Sequence, residues 1–152
     1  LQQQHPDTRL LLVGPFEEEL DPVAPETRRQ IENHPHIEWV GWQNDIRPFL
    51  LASDVFVFPS YREGFPNVVI QAGAMELPSI VTNINGSSEI IEEGVNGYII
   101  PSHSPAALLQ AMERMTDPRL RRALAEQARP LVAQRYERKA LWKALLQYYQ
   151  SR

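Results

Sequence analysis

The run Val55-Phe56-Val57-Phe58, followed at once by Pro59-Ser60-Tyr61-Arg62-Glu63-Gly64-Phe65-Pro66 and then by Asn67-Val68-Val69-Ile70-Gln71-Ala72, limits the possible folds more than any other stretch of the chain. Four β-branched or aromatic residues without polar alternation read as a strand buried on both faces of a parallel sheet. The Gly/Pro-punctuated segment after it is a loop. Pro66 suits the first position of a helix, because its ring presets φ and the N–H it lacks has no intrahelical partner there.

At the start of that helix the N–H groups of Asn67, Val68 and Val69 are expected to point outward unpaired. Together with the helix macrodipole they make a seat for an anion. In an open parallel sheet, ligands bind where strands end and helices begin. Gly64 lets a ligand come close to the backbone, and Glu63 sets a carboxylate beside the opening. Gln71 follows Asn67 by four residues and shares its helix face. A phosphate seat flanked by two groups that hydrogen-bond hydroxyls is a site for a sugar nucleotide.

Glu63, seven intervening residues and then Gln71-Ala72 are followed by Ala74, Pro78-Ser79-Ile80-Val81 and Glu89-Ile90-Ile91-Glu92-Glu93-Gly94-Val95-Asn96-Gly97. This order of motifs resembles the C-terminal, donor-binding half of retaining GT-B glycosyltransferases of family 4, the glycosyl transferases group 1. The resemblance runs from about Arg9 to Tyr149. It implies that Glu63 holds the donor sugar and helps place its anomeric carbon. Backbone amides of Phe65, Asn67 and Val68, with Gly64 and Pro66 in the same loop, would face sugar and phosphate. In the family a second glutamate meets the ribose hydroxyls, and Gln71 stands there in this chain. The loop Gly41-Trp42-Gln43-Asn44-Asp45 corresponds to one that contacts the nucleotide base, where Trp42 either stacks on the base or covers the sheet edge. Asn85-Gly86-Ser87 belongs to a loop that runs close to the sugar, and Glu89 either anchors that turn or meets the ligand.

The rest of the chain alternates strands with helices and implies an α/β, doubly wound, Rossmann-like parallel sheet. Leu1 to Gln4 reads as the last turn of a helix, and Arg9 to Val13 as a buried strand. The acidic run Glu17 to Asp21 reads as a solvated loop. Helices are expected over Pro25–Glu32, Ile46–Ala52 capped by Asp45, Ala106–Met115 capped by Ser104, Arg119–Ala133 after Asp117-Pro118, and Arg138–Tyr149. Further strands are expected at Ile37–Val40, Ser79–Thr82 and Tyr98–Ile100. Ser87 or Ser88 is the expected cap of a short helical turn ending near Glu92. Leu141, Trp142, Leu145, Leu146 and Tyr149 form an apolar stripe at helical spacing, a packing surface that in the resembled family returns across an interdomain cleft.

With 152 residues, 43% of them hydrophobic, the chain suits one globular domain. Its net charge of -4 and lack of a Lys/Arg stripe argue against a nucleic-acid-binding face. No apolar run reaches the roughly 18 residues of a membrane span. The absence of cysteine excludes disulfides and thiolate metal sites. His34-Pro35-His36 reads as a surface loop, and no metal or cofactor is expected beyond the nucleotide-sugar substrate.

The resemblance also implies that the chain is a piece of a longer, two-domain cytoplasmic enzyme of surface-polysaccharide assembly. A preceding strand and helix, carrying an arginine and a lysine for the diphosphate, match no position here. In the usual strand order the preceding strand would lie between those at Arg9–Val13 and Val55–Phe58. Arg62 is the one nearby cation of the motif loop. Acceptor recognition, and any membrane contact, would lie in the other half, so transfer by this chain alone is not expected. Two other readings remain at this point: a non-catalytic nucleotide-binding module that has lost the second glutamate, and a GT-B-like sugar-nucleotide epimerase.

Overall fold

The computed structural model describes residues 1–16, 19 and 22–151 and divides the chain into two compact units, Leu1–Ser53 and Asp54–Arg152. The first unit contains β1 (Leu10–Leu12), α1 (Pro25–Asn33), β2 (Ile37–Trp39) and α2 (Arg47–Leu51). β1 and β2 pair in parallel, Leu10 opposite Ile37 and Leu12 opposite Trp39. The ladder continues through the Val40 amide to the Leu12 carbonyl at 3.0 Å and the Gly14 amide to the Gly41 carbonyl at 2.9 Å. Phe16 packs on Trp39 with ring centroids 4.4 Å apart, and Trp39 Nε1 donates to the Gly14 carbonyl at 2.8 Å.

The strand at Arg9 to Val13 is not buried as expected, since Leu10 and Val13 are each 40% exposed. Among the described residues β1 pairs with β2, and in a two-stranded sheet each strand has a single hydrogen-bonded neighbour. Leu1 to His5 forms one hydrogen-bonded turn. Of the acidic run, Glu17, Glu18 and Asp21 lie outside the described residues. His34 and His36 sit in a turn where the His36 amide donates to His34 Nδ1 at 3.2 Å.

The second unit holds a parallel sheet in the order β3 (Phe56–Phe58), β4 (Ser79–Thr82), β5 (Gly97–Ile100). With it are α3 (Asn67–Ala74), α4 (Ser87–Ile90), α5 (Pro105–Arg114), α6 (Pro118–Tyr136) and α7 (Arg138–Gln150). Side chains of a strand alternate between faces, and the core divides accordingly. Ile80, Tyr98 and Ile100 join Val55 and Val57 on one face, packed with Ala111, Met115 and Leu124 of α5 and α6. Val81 and Ile99 join Phe56 and Phe58 on the other, packed with Val69 of α3, Ile90 of α4 and Tyr136 of α6. This is the doubly wound arrangement the strand-helix alternation predicts.

β4, the central strand, is buried at all four residues. β3 is only half-buried, which corrects the expectation of a strand buried on both faces: among the described residues it lies at the edge of its sheet and pairs with β4 alone. Close approaches fix the helices on the sheet. A Cβ at Gly73 of α3 would lie 2.6 Å from Val132 Cγ2 of α6, so the absence of a side chain sets how near the two helices come.

Ser104 and Asp117 cap α5 and α6 as expected, and Glu137 caps α7 by accepting from the Lys139 and Ala140 amides. The α7 stripe is not packed: Leu141, Trp142, Leu145, Leu146 and Tyr149 are all exposed, and no described residue of α7 is buried.

Candidate functional site

β3 delivers the chain at the carboxyl edge of the sheet, and Pro59 to Pro66 turns there before α3 begins. The loop is tied down at its start by Thr82, the last residue of β4, whose hydroxyl donates to the Ser60 carbonyl. The Ser60 hydroxyl in turn donates to Glu63 Oε1 at 3.1 Å, orienting a carboxylate that is otherwise exposed. Arg62 is exposed.

Pro66 is the residue before α3 rather than its first member, with ψ at 93°, and it is buried. Its carbonyl accepts the Val69 amide at 3.0 Å. The expected trio of free amides is therefore a pair: among the described residues, those of Asn67 and Val68 make no hydrogen bond, while that of Val69 closes the first tight turn. Gln71 is exposed one turn along the same helix, and its side-chain amide has no hydrogen-bond partner among the described residues.

The loop after β4 closes against this segment. A Cβ placed on Gly86 would lie 2.7 Å from Pro66 Cδ, 2.9 Å from the Gly64 carbonyl oxygen and 3.0 Å from the Phe65 Cα. Gly86 also has φ of +79°, so both sterics and backbone conformation require glycine. A Cβ at Gly64 would meet nothing within 4 Å, so space is open there. Gly86, not Ser87 or Ser88, occupies the cap position of α4. Ser87 is the first helical residue, fully buried, and Ser88 donates back to the Ile84 carbonyl at 3.3 Å.

Behind the loop stands the end of α6. The Tyr136 ring meets Phe65 edge-on, with centroids 5.8 Å apart, and its hydroxyl donates to the Glu89 carbonyl at 3.1 Å. Burial holds the Tyr136 phenol above its ordinary pKa of 10.0. Arg135 donates to the same carbonyl at 3.4 Å and pairs with Glu92 at 2.9 Å. Glu89 thus anchors the turn through its main chain, while its side chain is exposed. Asn96, buried, accepts from the Glu92 amide and donates to the Ile90 carbonyl, holding the same turn from the other end.

In the second unit the structure brings together Glu63, Gly64, Phe65, Pro66, Asn67, Val68, Gln71 and Gly86. Gly41 and Trp42 belong to the first unit. Gly41 has φ of +65°, and Trp42 is 71% exposed with its indole N–H 3.4 Å from Asn44 Oδ1, so Trp39 and not Trp42 covers the small sheet. Asp45 does not cap α2 from the cap position, which Ile46 holds. Its carboxylate accepts instead from the Arg47 amide at 3.0 Å and from two guanidinium nitrogens at 2.8 and 2.7 Å, and these bonds hold its pKa at about 2. Sequence reasoning did not find Ser60, Thr82 or Tyr136, whose roles depend on neighbours 3 to 71 residues away in the chain.

Residues 1–117 match the family model of glycosyl transferases group 1. The chain belongs to that family. A capsular polysaccharide biosynthesis glycosyltransferase of Staphylococcus aureus is 28% identical over 144 residues, 94% of this chain and 38% of that protein. A UDP-Gal:alpha-D-GlcNAc-diphosphoundecaprenol alpha-1,3-galactosyltransferase of Escherichia coli is 37% identical over 90 residues, 59% of this chain and 23% of that protein. The chain therefore spans well under half the length of these relatives. An Anabaena protein solved in complex with UDP-glucose superposes with a TM-score of 0.85 at 22% identity, over 97% of this chain and 42% of that one, and so shares the fold.

Proposed function

We propose that this group 1 chain binds a nucleoside-diphosphate sugar and serves as the donor-binding half of a retaining glycosyltransferase. The observation that carries the reading is the closure of the Gly86 turn onto Gly64, Phe65 and Pro66 at the point where α3 presents two unpaired amides. Two unpaired amides, an oriented carboxylate at Glu63 and an open glycine in one loop cluster support the reading of an anion seat beside a sugar site. In this reading the amides of Asn67 and Val68 meet the diphosphate, Glu63 holds sugar hydroxyls beside the anomeric carbon, and Gln71 meets the ribose. Gly41 and Trp42 are assigned to the base by family resemblance alone.

Catalysis in such a site is positioning of the sugar and stabilisation of the departing diphosphate by fixed dipoles, with no metal held by the chain. The names of the relatives, which act in capsular polysaccharide biosynthesis and on a diphosphoundecaprenol-linked sugar, support a glycan or lipid-linked acceptor in surface-polysaccharide assembly. Since those relatives are much longer, binding without transfer is the expected behaviour of these 152 residues.

Isothermal titration of the chain with UDP, GDP and ADP, and with UDP-glucose, tests the reading. One nucleotide should bind in preference to the others, and Glu63→Ala should remove any gain contributed by the sugar while leaving the bare nucleotide bound. Absence of binding by all of them at millimolar concentration would overturn it.

A further inference from the structure

We infer that α7 is a docking helix that lies in the plane of an anionic membrane surface. This chain then carries a membrane contact of its own, where the family resemblance leaves any such contact to the other half. The inference is independent of the donor-site reading, since no residue assigned to the nucleotide lies on α7. All 13 residues of α7, Arg138 to Gln150, are exposed. A helix of this length is marginal by itself in water, because most helix stability comes from laying an apolar face on another surface. At about 100° per residue, Leu141, Trp142, Leu145, Leu146, Tyr148 and Tyr149 fall within an arc of about 160°. Their exposures run from 48 to 69%. Lys139 and Lys143 stand one turn apart along one border of that arc, and Ala140 and Ala144 form the other. Arg138 lies at the start of the face, its guanidinium 5.8 Å from the centre of the Trp142 ring.

Charge decides what covers this face. Lys139 and Lys143 are the only lysines of the chain, and no acidic residue follows Glu137. The Glu137 carboxylate is engaged at the helix start by the Lys139 and Ala140 amides. On a larger scale, residues 114–152 hold ten Arg and Lys against three Asp and Glu, whereas residues 1–113 hold five against sixteen. A basic end on an acidic chain is drawn to an anionic surface while the remainder is repelled from it. A protein groove would have to place carboxylates along the lysine border, whereas an anionic bilayer offers phosphates everywhere. Lysine stems lie along apolar surface and lift their ammonium groups to those phosphates, and Trp and Tyr rings sit at the headgroup level. Among the described residues no helix is long and apolar enough to cross a membrane. α7, about 20 Å long against a hydrocarbon core of about 30 Å, lies on the surface instead.

The test is flotation of the chain with vesicles of phosphatidylcholine alone and with about 30% phosphatidylglycerol, in about 50 mM and about 500 mM salt. At low salt the wild type should bind the anionic vesicles at least about tenfold more tightly than the neutral ones, and high salt should shrink that preference. Lys139→Gln together with Lys143→Gln should weaken anionic binding about thirtyfold, at roughly fivefold per charge. Trp142→Ala together with Leu145→Ala should weaken it at least about tenfold through lost apolar burial. All four positions face solvent, so both double variants should keep the wild-type midpoint in urea. Capture by neither kind of vesicle overturns the inference and leaves the face to a protein. A dimer in sedimentation that Trp142→Ala with Leu145→Ala disperses, without flotation of the wild type, overturns it in favour of a second copy. Equal capture by neutral and anionic vesicles, or full anionic binding by the double lysine variant, overturns the role given to charge.

Discussion

Gly86 and Pro66, on the loops that follow β4 and β3, stand so close that a methyl group on the glycine would lie 2.7 Å from the proline Cδ. The 2.9 Å approach to the Gly64 carbonyl closes a second side, and φ of +79° adds backbone strain for any L side chain. Gly86→Ala should therefore cost about 2 kcal/mol in urea denaturation and displace the loop that leads into α3, weakening nucleotide binding with it. Gly64→Ala is the control: nothing lies within 4 Å of the added carbon, so stability should stay within about 0.5 kcal/mol of wild type. Equal stability of the two variants would show that the loops are not in contact.

Ser60 links β4 to the carboxylate, since its carbonyl is held by Thr82 and its hydroxyl by Glu63. Ser60→Ala keeps the first bond and removes the second. UDP affinity should be unchanged within about twofold, and the extra affinity of UDP-glucose over UDP should fall by about threefold, one neutral-to-charged bond at an exposed site. A matching fall for UDP itself would mean that Ser60 shapes the loop rather than aiming Glu63.

Much of this was legible from local residues. The apolar runs at Val55–Phe58 and Ser79–Thr82, the caps at Ser104 and Asp117 and the turn at Gly94–Gly97 all declare themselves within a few positions, because their signals are periodicity and turn chemistry. What stayed hidden depends on distant partners. Val55–Phe58 has the composition of a central strand, yet its place at the sheet edge is decided by which other strands pair with it. The Val69 amide is lost from the expected trio because it turns back to the Pro66 carbonyl three residues earlier, a tight first turn that the local sequence does not announce. The crowding at Gly86 and the backing of Phe65 by Tyr136 join residues 20 to 71 positions apart, and no pattern in either segment points to the other.

Tyr136 supports the loop in two ways that mutation separates. Tyr136→Phe keeps the ring against Phe65 and removes the hydrogen bond to the Glu89 carbonyl, an expected loss of about 1 kcal/mol. Tyr136→Ala also removes the ring and should lose about 2 to 3 kcal/mol. Burial raises the phenol above 10.0, so its contribution is fully present below that pH and is lost as pH rises through the higher folded value. The alkaline fall in stability should accordingly be shallower in Tyr136→Phe than in wild type.

Asp45 reports on the loop after β2. Its folded pKa of about 2 lies below the ordinary 3.8, so the stabilisation is present above about pH 4 and fades as pH drops through 2. The Arg47 side chain is the first cause, and both residues face solvent. The midpoint of the Asp45 carboxyl resonance should lie near 2 in dilute salt and move toward 3.8 in Arg47→Ala, whereas added salt should move it only partway. A midpoint that ignores Arg47→Ala would place the cause in the backbone bond instead.

The packing of α3 on α6 offers a test that couples two positions. A Cβ at Gly73 would meet Val132 Cγ2 at 2.6 Å, and Val132 is itself buried at 6% exposure, so the methyl group has little room to retreat. Gly73→Ala should gain slightly from helix propensity, by under about 1 kcal/mol, and lose about 1 to 3 kcal/mol to overpacking, a net destabilisation. Val132→Ala alone should cost about 1 to 2 kcal/mol through the volume it vacates. The double variant places the new methyl group in that volume, so its loss should be smaller than the sum of the two single losses by at least about 1 kcal/mol. Because α3 begins at the candidate donor site and ends at this contact, nucleotide affinity should follow the same pattern, reduced in Gly73→Ala and recovered in the pair. Strict additivity in both readouts would mean that α3 and α6 adjust independently and that the helix start is held by the Gly86 turn alone.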